Sequence, residues 1–132
     1  LKVDPATIVG AVKFLDTVGA ESGAKYGYTD PGGGQATTAV GLLCRMYLGW
    51  KKDNPGLQRG VEYLATTGPS KGNMYFNYYA TQVLRQNEGP QWDKWNKEMR
   101  DWLVESQDKN GHQTGSWNRK GAHGSDAGGR IY

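Results

Sequence analysis

The chain has 132 residues and a formal net charge of +3, with 16 basic side chains interleaved with 13 acidic ones. Hydrophobic residues make up 36% of it, which is enough to build a core and excludes a wholly disordered chain. The mild, mixed charge does not favour a nucleic-acid partner, and no apolar run approaches the ~20 residues of a membrane span. The length fits one domain, which we take to cover residues 1–132.

The sequence predicts about five helices, and the first runs from about Pro5 to Val18. Asp4 is a candidate N-cap, and proline suits the first helical position. The apolar residues of this segment follow helical spacing, which predicts an inward-facing stripe. The stripe consists of Ile8, Ala11, Val12 and Leu15. Gly19 is the expected end of the helix, and a Gly-rich loop follows as far as Gly34.

The second predicted helix, from about Gln35 to Trp50, carries apolar residues on nearly every face. A helix that is apolar all round is typically buried. Gly41 lies in its middle, where the missing side chain would permit the close approach of a neighbouring helix.

The third helix is expected to begin at Asn54-Pro55, with Asn54 as its cap, and to end at Gly68-Pro69. Its apolar stripe is formed by Leu57, Val61 and Leu64. The polar face opposite this stripe is formed by Gln58, Arg59 and Glu62. This separation predicts a helix with one buried face and one face in water.

The fourth helix, from about Asn73 to Gln86, is again broadly apolar, and the fifth runs from about Trp92 to Gln107. The stripe of the fifth helix consists of Trp95, Met99, Trp102 and Leu103. Striped helices therefore alternate with broadly apolar ones. This alternation predicts an all-α fold with an outer and an inner layer, built as helical hairpin repeats of an α/α toroid, or of part of one.

A recurring sequence unit supports a repeat architecture. Its fullest copy begins with Trp102-Leu103, continues through Gln107 and ends in Gly115-Ser116-Trp117. Weaker copies lead from Phe14-Leu15 to Tyr26-Gly27-Tyr28, and from Tyr63-Leu64 to Tyr75-Phe76. A period of roughly forty to fifty residues is typical of stacked helical hairpins.

The combination of Gln107, Gly115 and Trp117 resembles the QW motif of the terpenoid cyclase and protein prenyltransferase superfamily. The stretch 75–117 is also similar to bacterial proteins with prenyltransferase and squalene-oxidase repeats. The resemblance implies that Gln107 closes an outer helix and that Trp117 packs near the start of the next inner helix. The first two units depart from the motif, because they lack the Gln and the final Trp.

Toroids of this superfamily usually contain more hairpins than 132 residues provide, and the chain does not begin with Met. We therefore expect a fragment of a larger bacterial protein. A partial toroid would leave an apolar edge, which would pack on the remainder of the parent protein or on a second copy.

The sequence has no clear counterpart of the catalytic aspartates or of the zinc ligands of the superfamily. Cyclisation uses an aspartate cluster, whereas the loop aspartates here stand apart and are interpreted as turn or capping residues. They are Asp30, Asp108 and Asp126. Prenyl transfer uses zinc held by Asp, Cys and His. Cys44 is the only thiol and lies within a helix, and His112 and His123 lie in Gly-rich loops. The sequence predicts no catalytic residue, no metal site and no cofactor.

The fourth helix holds the candidate ligand surface, which would suit an apolar or carbohydrate ligand. Its residues are Tyr75, Asn77, Tyr78 and Tyr79. The alternative is that these aromatics pack in the core, as aromatics at helical spacing commonly do. The same alternative applies to the tryptophans of the fifth helix, Trp92, Trp95 and Trp102.

Two classes of function follow. The first is a non-catalytic repeat module, acting as a scaffold or as a binding domain with a carbohydrate or peptide groove. The second is a fragment of a terpenoid cyclase or prenyltransferase-like enzyme acting on an isoprenoid. The sequence does not decide between them, since a fold supports many functions, and it leaves the cellular compartment open.

Overall fold

The computed structural model describes residues 3–118 and 130–131, and most of these residues are helical. Five α-helices are found within the described residues. They are α1 Pro5–Val18, α2 Gln35–Tyr47, α3 Pro55–Thr67, α4 Met74–Asn87 and α5 Pro90–Ser106. The predicted all-α class with about five helices is confirmed.

Two short antiparallel strand pairs accompany the helices, and the sequence did not predict them. β1 (Gly19–Ala20) pairs with β2 (Lys25–Tyr26) directly after α1. β3 (Trp117–Asn118) pairs with β4 (Arg130–Ile131). Strands of two residues are too short for an alternating apolar pattern, so sequence periodicity cannot detect them.

Side chains cap three of the helices. Asp4 accepts a hydrogen bond from the Ala6 amide at 2.8 Å, and Asn54 accepts from the Gly56 amide at 2.9 Å. Asn73 accepts from the amide of Phe76 in α4 at 2.9 Å. Each bond satisfies an N–H that has no partner within its own helix. The predicted caps at Asp4 and Asn54 are confirmed.

The core lies where α2 packs against α4 and where α3 contacts α2, α4 and α5. The predicted stripe of α3 is buried, and α5 contributes Trp95 and Met99. The rings of Phe76 and Trp95 meet edge to face, with centroids 5.9 Å apart, an arrangement that aromatic quadrupoles favour. The buried indole of Trp95 also donates to Thr81 Oγ1 at 2.9 Å.

Glycines set two close approaches in this core. A Cβ on Gly60 of α3 would lie 2.5 Å from Leu42 Cδ2, so the missing side chain lets α2 and α3 meet. A Cβ on Gly41 would lie 2.3 Å from Tyr26 Cγ. The prediction that a neighbouring helix approaches Gly41 is therefore wrong. The group that approaches it is the ring of Tyr26 from β2.

Three expectations about burial and length need correction. In α1 Leu15 is buried but Ile8 is 42% exposed, so the predicted stripe faces no described neighbour over the first half of the helix. The helices α2 and α4 are not buried all round, since Tyr47 and Tyr78 are largely exposed. Helix α2 ends at Tyr47 rather than near Trp50. Apolar periodicity reports which face can be buried, and it does not report whether a neighbour covers that face.

Candidate functional site

An apolar groove of about 730 Å³ lies between α1 and the first half of α2. One wall is formed by Phe14, Leu15 and Val18 of α1. The other wall is formed by Ala36, Thr37, Val40 and Gly41 of α2. Tyr26 forms the floor, and Gly27, Tyr28 and Tyr75 complete the lining. No lining side chain carries a charge at neutral pH, so the groove suits an uncharged group.

The floor of the groove is held by backbone hydrogen bonds. Thr38 Oγ1 accepts from the Tyr26 amide at 3.0 Å, and Thr37 Oγ1 donates to the Tyr26 carbonyl at 2.7 Å. The Gly27 amide donates to the carbonyl of Val18, at the end of α1, at 2.9 Å. The Tyr26 ring lies in the space that Gly41 leaves open. The floor is thus fixed to both walls before any ligand arrives.

A buried arginine lies behind this floor. Arg45 of α2 is only 5% exposed, and its Nε donates to the Tyr26 hydroxyl at 3.0 Å. Its Nη2 donates to the carboxylate of Asp16 on α1. The guanidinium carbon also lies 4.9 Å from the centroid of the Trp50 ring, within cation–π range. A buried charge of this kind is normally paired, and here its partners come from three different segments.

This environment changes two pKa values. Burial lowers the pKa of Arg45, but its hydrogen bonds with Asp16 and Tyr26 outweigh burial, so the pKa lies above its ordinary value. Burial raises the pKa of Tyr26, although Arg45 acts in the opposite direction. The sequence did not indicate Arg45, Asp16 or Tyr26 as site residues. The available signal was a single arginine within an otherwise uncharged helix.

Three of the four predicted ligand-surface residues lie together on α4. The Tyr75 and Tyr79 ring centroids are 4.8 Å apart, and those of Tyr78 and Tyr79 are 5.1 Å apart. A hydrogen bond with Tyr75 raises the pKa of Tyr79. Tyr75 and Tyr78 are exposed, and Tyr75 also lines the end of the groove. The tyrosine cluster and the groove therefore form one continuous surface.

Asn77, the fourth predicted residue, is separate from this surface. It is fully buried, and its Oδ1 accepts from the Ser70 amide at 2.8 Å. Its Nδ2 donates to the Ser70 carbonyl at 2.7 Å. The amide group thus anchors the loop before α4 and is not accessible to a ligand.

The residues of the predicted structural motif meet at the end of α5. Gln107 Nε2 donates to the Gly115 carbonyl at 3.0 Å, and Trp117 Nε1 donates to the Leu103 carbonyl at 2.8 Å. The Gly115 backbone has a φ of 82°, a conformation in which a side chain would be strained. These bonds join the last turn of α5 to the loop that follows it.

The remaining reactive side chains are dispersed. Cys44 is half-buried, and burial raises the pKa of its thiol, while Asp30 and His112 are exposed. His123 and Asp126 lie outside the described residues. Within residues 3–118 and 130–131, no group of three or more His, Cys, Asp and Glu side chains could hold a metal ion. The tryptophans of α5 pack on the core: Trp95 is buried, and Trp92 and Trp102 are half-buried.

No protein-family model, curated protein or solved structure matches this chain. The structure itself defines the class as an all-α domain, with an uncharged apolar groove between α1 and α2. None of the helices in the described part of the chain combines the length and apolarity that a membrane crossing requires.

Proposed function

We propose that this chain is a non-catalytic helical repeat module that binds a neutral apolar group in the α1–α2 groove. The observation that carries the proposal is the groove itself, which is apolar, uncharged and fixed at its floor. Its rim presents aromatic side chains to solvent, with Phe14 56% exposed and Tyr28 83% exposed. Exposed aromatics around an apolar concavity are typical of a binding site.

The proposed architecture is part of an α/α toroid similar to those of terpenoid cyclases and prenyltransferases. The hydrogen bonds of Gln107 and Trp117 at the end of α5 support it. The packing of α2 against α4, with α3 in contact with both, also supports it. In a toroid the free face of α4, which carries Tyr75 and Tyr78, would line the inner surface.

The groove chemistry favours an apolar ligand over a carbohydrate. A sugar needs several hydrogen-bonding partners, and the lining supplies few. The Thr37 hydroxyl already donates to the Tyr26 carbonyl, and the Tyr26 hydroxyl already accepts from Arg45. The hydroxyl of Tyr28 remains at the rim, where it would orient a ligand whose body is apolar.

The second candidate is a fragment of an enzyme that acts on an isoprenoid, and the same apolar groove supports it. Binding alone does not separate these two functions. The two functions are separated by incubating the protein with farnesyl and geranylgeranyl diphosphate and analysing the products. Formation of a hydrocarbon, alcohol or prenylated product would favour the enzyme, whereas recovery of unchanged substrate is expected for the module.

The binding proposal is tested by titrating the protein with N-phenyl-1-naphthylamine, an uncharged fluorescent probe. Val40→Trp fills the groove, and we expect the probe affinity to fall at least about tenfold, equivalent to ~1.4 kcal/mol. Val104→Trp is the matched control, since Val104 is an exposed valine of α5 outside the groove. Tyr28→Ser and Tyr47→Ser form a second pair, in which only Tyr28 lines the groove. Equal losses within each pair, or no saturable binding by the wild type, would refute the proposal.

We also infer that the exposed apolar face of α1 packs against protein outside the described residues. Ile8 and Val9 lie on the first half of this helix, outside the groove, and both are exposed. The partner would be the rest of a parent protein or a second copy of the chain. Sedimentation across a dilution series tests the second possibility. Association that Ile8→Lys abolishes would support a second copy, and a monomer at every concentration would exclude it.

A further inference from the structure

Arg45 connects the two walls of the groove. It lies on α2, one turn after Val40 and Gly41, and its side chain reaches Asp16 on α1. Asp16 directly follows Phe14 and Leu15, which form the α1 wall. The same side chain also donates a hydrogen bond to the hydroxyl of Tyr26, the floor residue. One side chain therefore contacts both walls and the floor from behind.

The first helix has few other attachments to the described chain. Its buried residues are Leu15 and Val18, both in the last turns, and the β1–β2 pair follows immediately. The first half of α1 carries exposed apolar residues instead of core contacts. The angle of the α1 wall against α2 therefore depends on a small number of contacts near Val18, and the Arg45–Asp16 ion pair is among them.

Burying an arginine between two helices costs free energy of desolvation. Removing a guanidinium from water opposes folding, and an apolar residue of similar volume often serves stability equally well. Arg45 is almost fully buried, whereas the side chain of its carboxylate partner is 63% exposed. An ion pair with a carboxylate this exposed adds little net stability of its own. The pair is better explained by directionality: a planar guanidinium holds several partners at defined angles.

We propose, building on the proposed function, that Arg45 is a positioning residue that fixes the α1 wall of the groove against α2. Replacement of Arg45 should therefore change the geometry of the groove more than it lowers the global stability of the protein. Asp16 and the Tyr26 hydroxyl are the groups through which it acts. If Arg45 had a merely structural role, its replacement would instead cause a large loss of stability in all helices.

The test compares Arg45→Met with Arg45→Lys and with Arg59→Met. Methionine removes the hydrogen bonds and the buried charge, and it leaves Asp16 solvated. Lysine keeps the charge for Asp16 but lacks the planar group that also binds Tyr26. Arg59 is an exposed arginine of α3 that donates to the Glu21 carbonyl, and it does not line the groove. Hydrogen exchange by mass spectrometry, the denaturant midpoint and the affinity for N-phenyl-1-naphthylamine are measured for each variant.

For Arg45→Met we expect exchange in residues 12–18 to become about tenfold faster, while exchange in α3 and α5 stays within about twofold. Probe affinity should fall about fivefold, with Arg45→Lys intermediate and Arg59→Met unchanged. Unchanged α1 exchange in Arg45→Met would overturn the inference, as would a uniform increase across all helices. If the wild type fails to bind the probe, the proposed function fails, and α1 exchange alone still decides the role of Arg45.

Discussion

Thr38 and Asn77 occupy the same position in two helices, and they make the same pair of bonds. Each is the fourth residue of its helix, α2 or α4, and each is fully buried. Thr38 Oγ1 lies 3.0 Å from the amide nitrogen and 3.4 Å from the carbonyl oxygen of Tyr26. Asn77 bonds with the same two backbone groups of Ser70, at 2.8 and 2.7 Å. The loops before α2 and α4 are therefore anchored in the same way.

These anchors should be important for stability. Thr38→Val keeps the shape but leaves a buried backbone amide without its partner, so we expect a loss of about 1–3 kcal/mol. Thr38→Ser retains the hydroxyl and should lose less than about 1 kcal/mol. Asn77→Leu removes two bonds and should cost more than Thr38→Val. Urea unfolding measures all three, and equal midpoints for Thr38→Val and Thr38→Ser would contradict the anchoring role.

The fit of the Tyr26 ring against α2 predicts opposite effects for two glycine substitutions. Gly41→Ala places a methyl group 2.3 Å from Tyr26 Cγ and should destabilise the protein by about 1–3 kcal/mol. Gly10→Ala, in α1, meets no atom within 4 Å and should stabilise the helix by about 0.5–1 kcal/mol. Thermal melting of both variants checks the prediction. A stabilised Gly41→Ala would mean that the ring does not occupy this site.

The indole at the end of α5 can be tested by separating its hydrogen bond from its packing. Trp117→Phe keeps most of the ring volume but loses the bond to the Leu103 carbonyl, so we expect a cost of about 1 kcal/mol. Trp117→Ala also loses the packing. Its cost should reach about 3 kcal/mol, the lower end for large aromatics, because Trp117 is half-buried. If both variants unfold at the wild-type urea concentration, Trp117 does not hold the end of the helix.

The raised pKa of Tyr26 predicts a loss of stability at alkaline pH. Its pKa is higher in the folded chain than the ordinary 10.0, because burial disfavours the phenolate. The stabilisation is fully present below pH 10.0 and is lost as the pH rises through the folded pKa. Absorbance at 295 nm should show late-titrating tyrosines, because the pKa of Tyr79 is also raised, and Tyr26→Phe should lose one of them. An unchanged titration curve in Tyr26→Phe would contradict the assignment.

Local signals explain what the sequence determined. The caps at Asp4 and Asn54 act on amides two residues away, and the α3 stripe is a property of one helix. Such features depend on residues that are neighbours along the chain, so composition and period suffice to predict the five helices and the all-α class. The same signals did not predict the exposed face of α1, because exposure depends on whether another segment covers it.

Only the tertiary structure brought the groove together. Phe14, Tyr26, Val40 and Tyr75 come from four segments, and no periodic pattern links them. Arg45 and Asp16 are separated by 29 positions along the chain, and only the fold brings them into contact. The sequence determined the helices and several of their ends, since backbone hydrogen bonding and capping are local. The tertiary structure determined the binding surface, since packing selects which distant side chains share one wall.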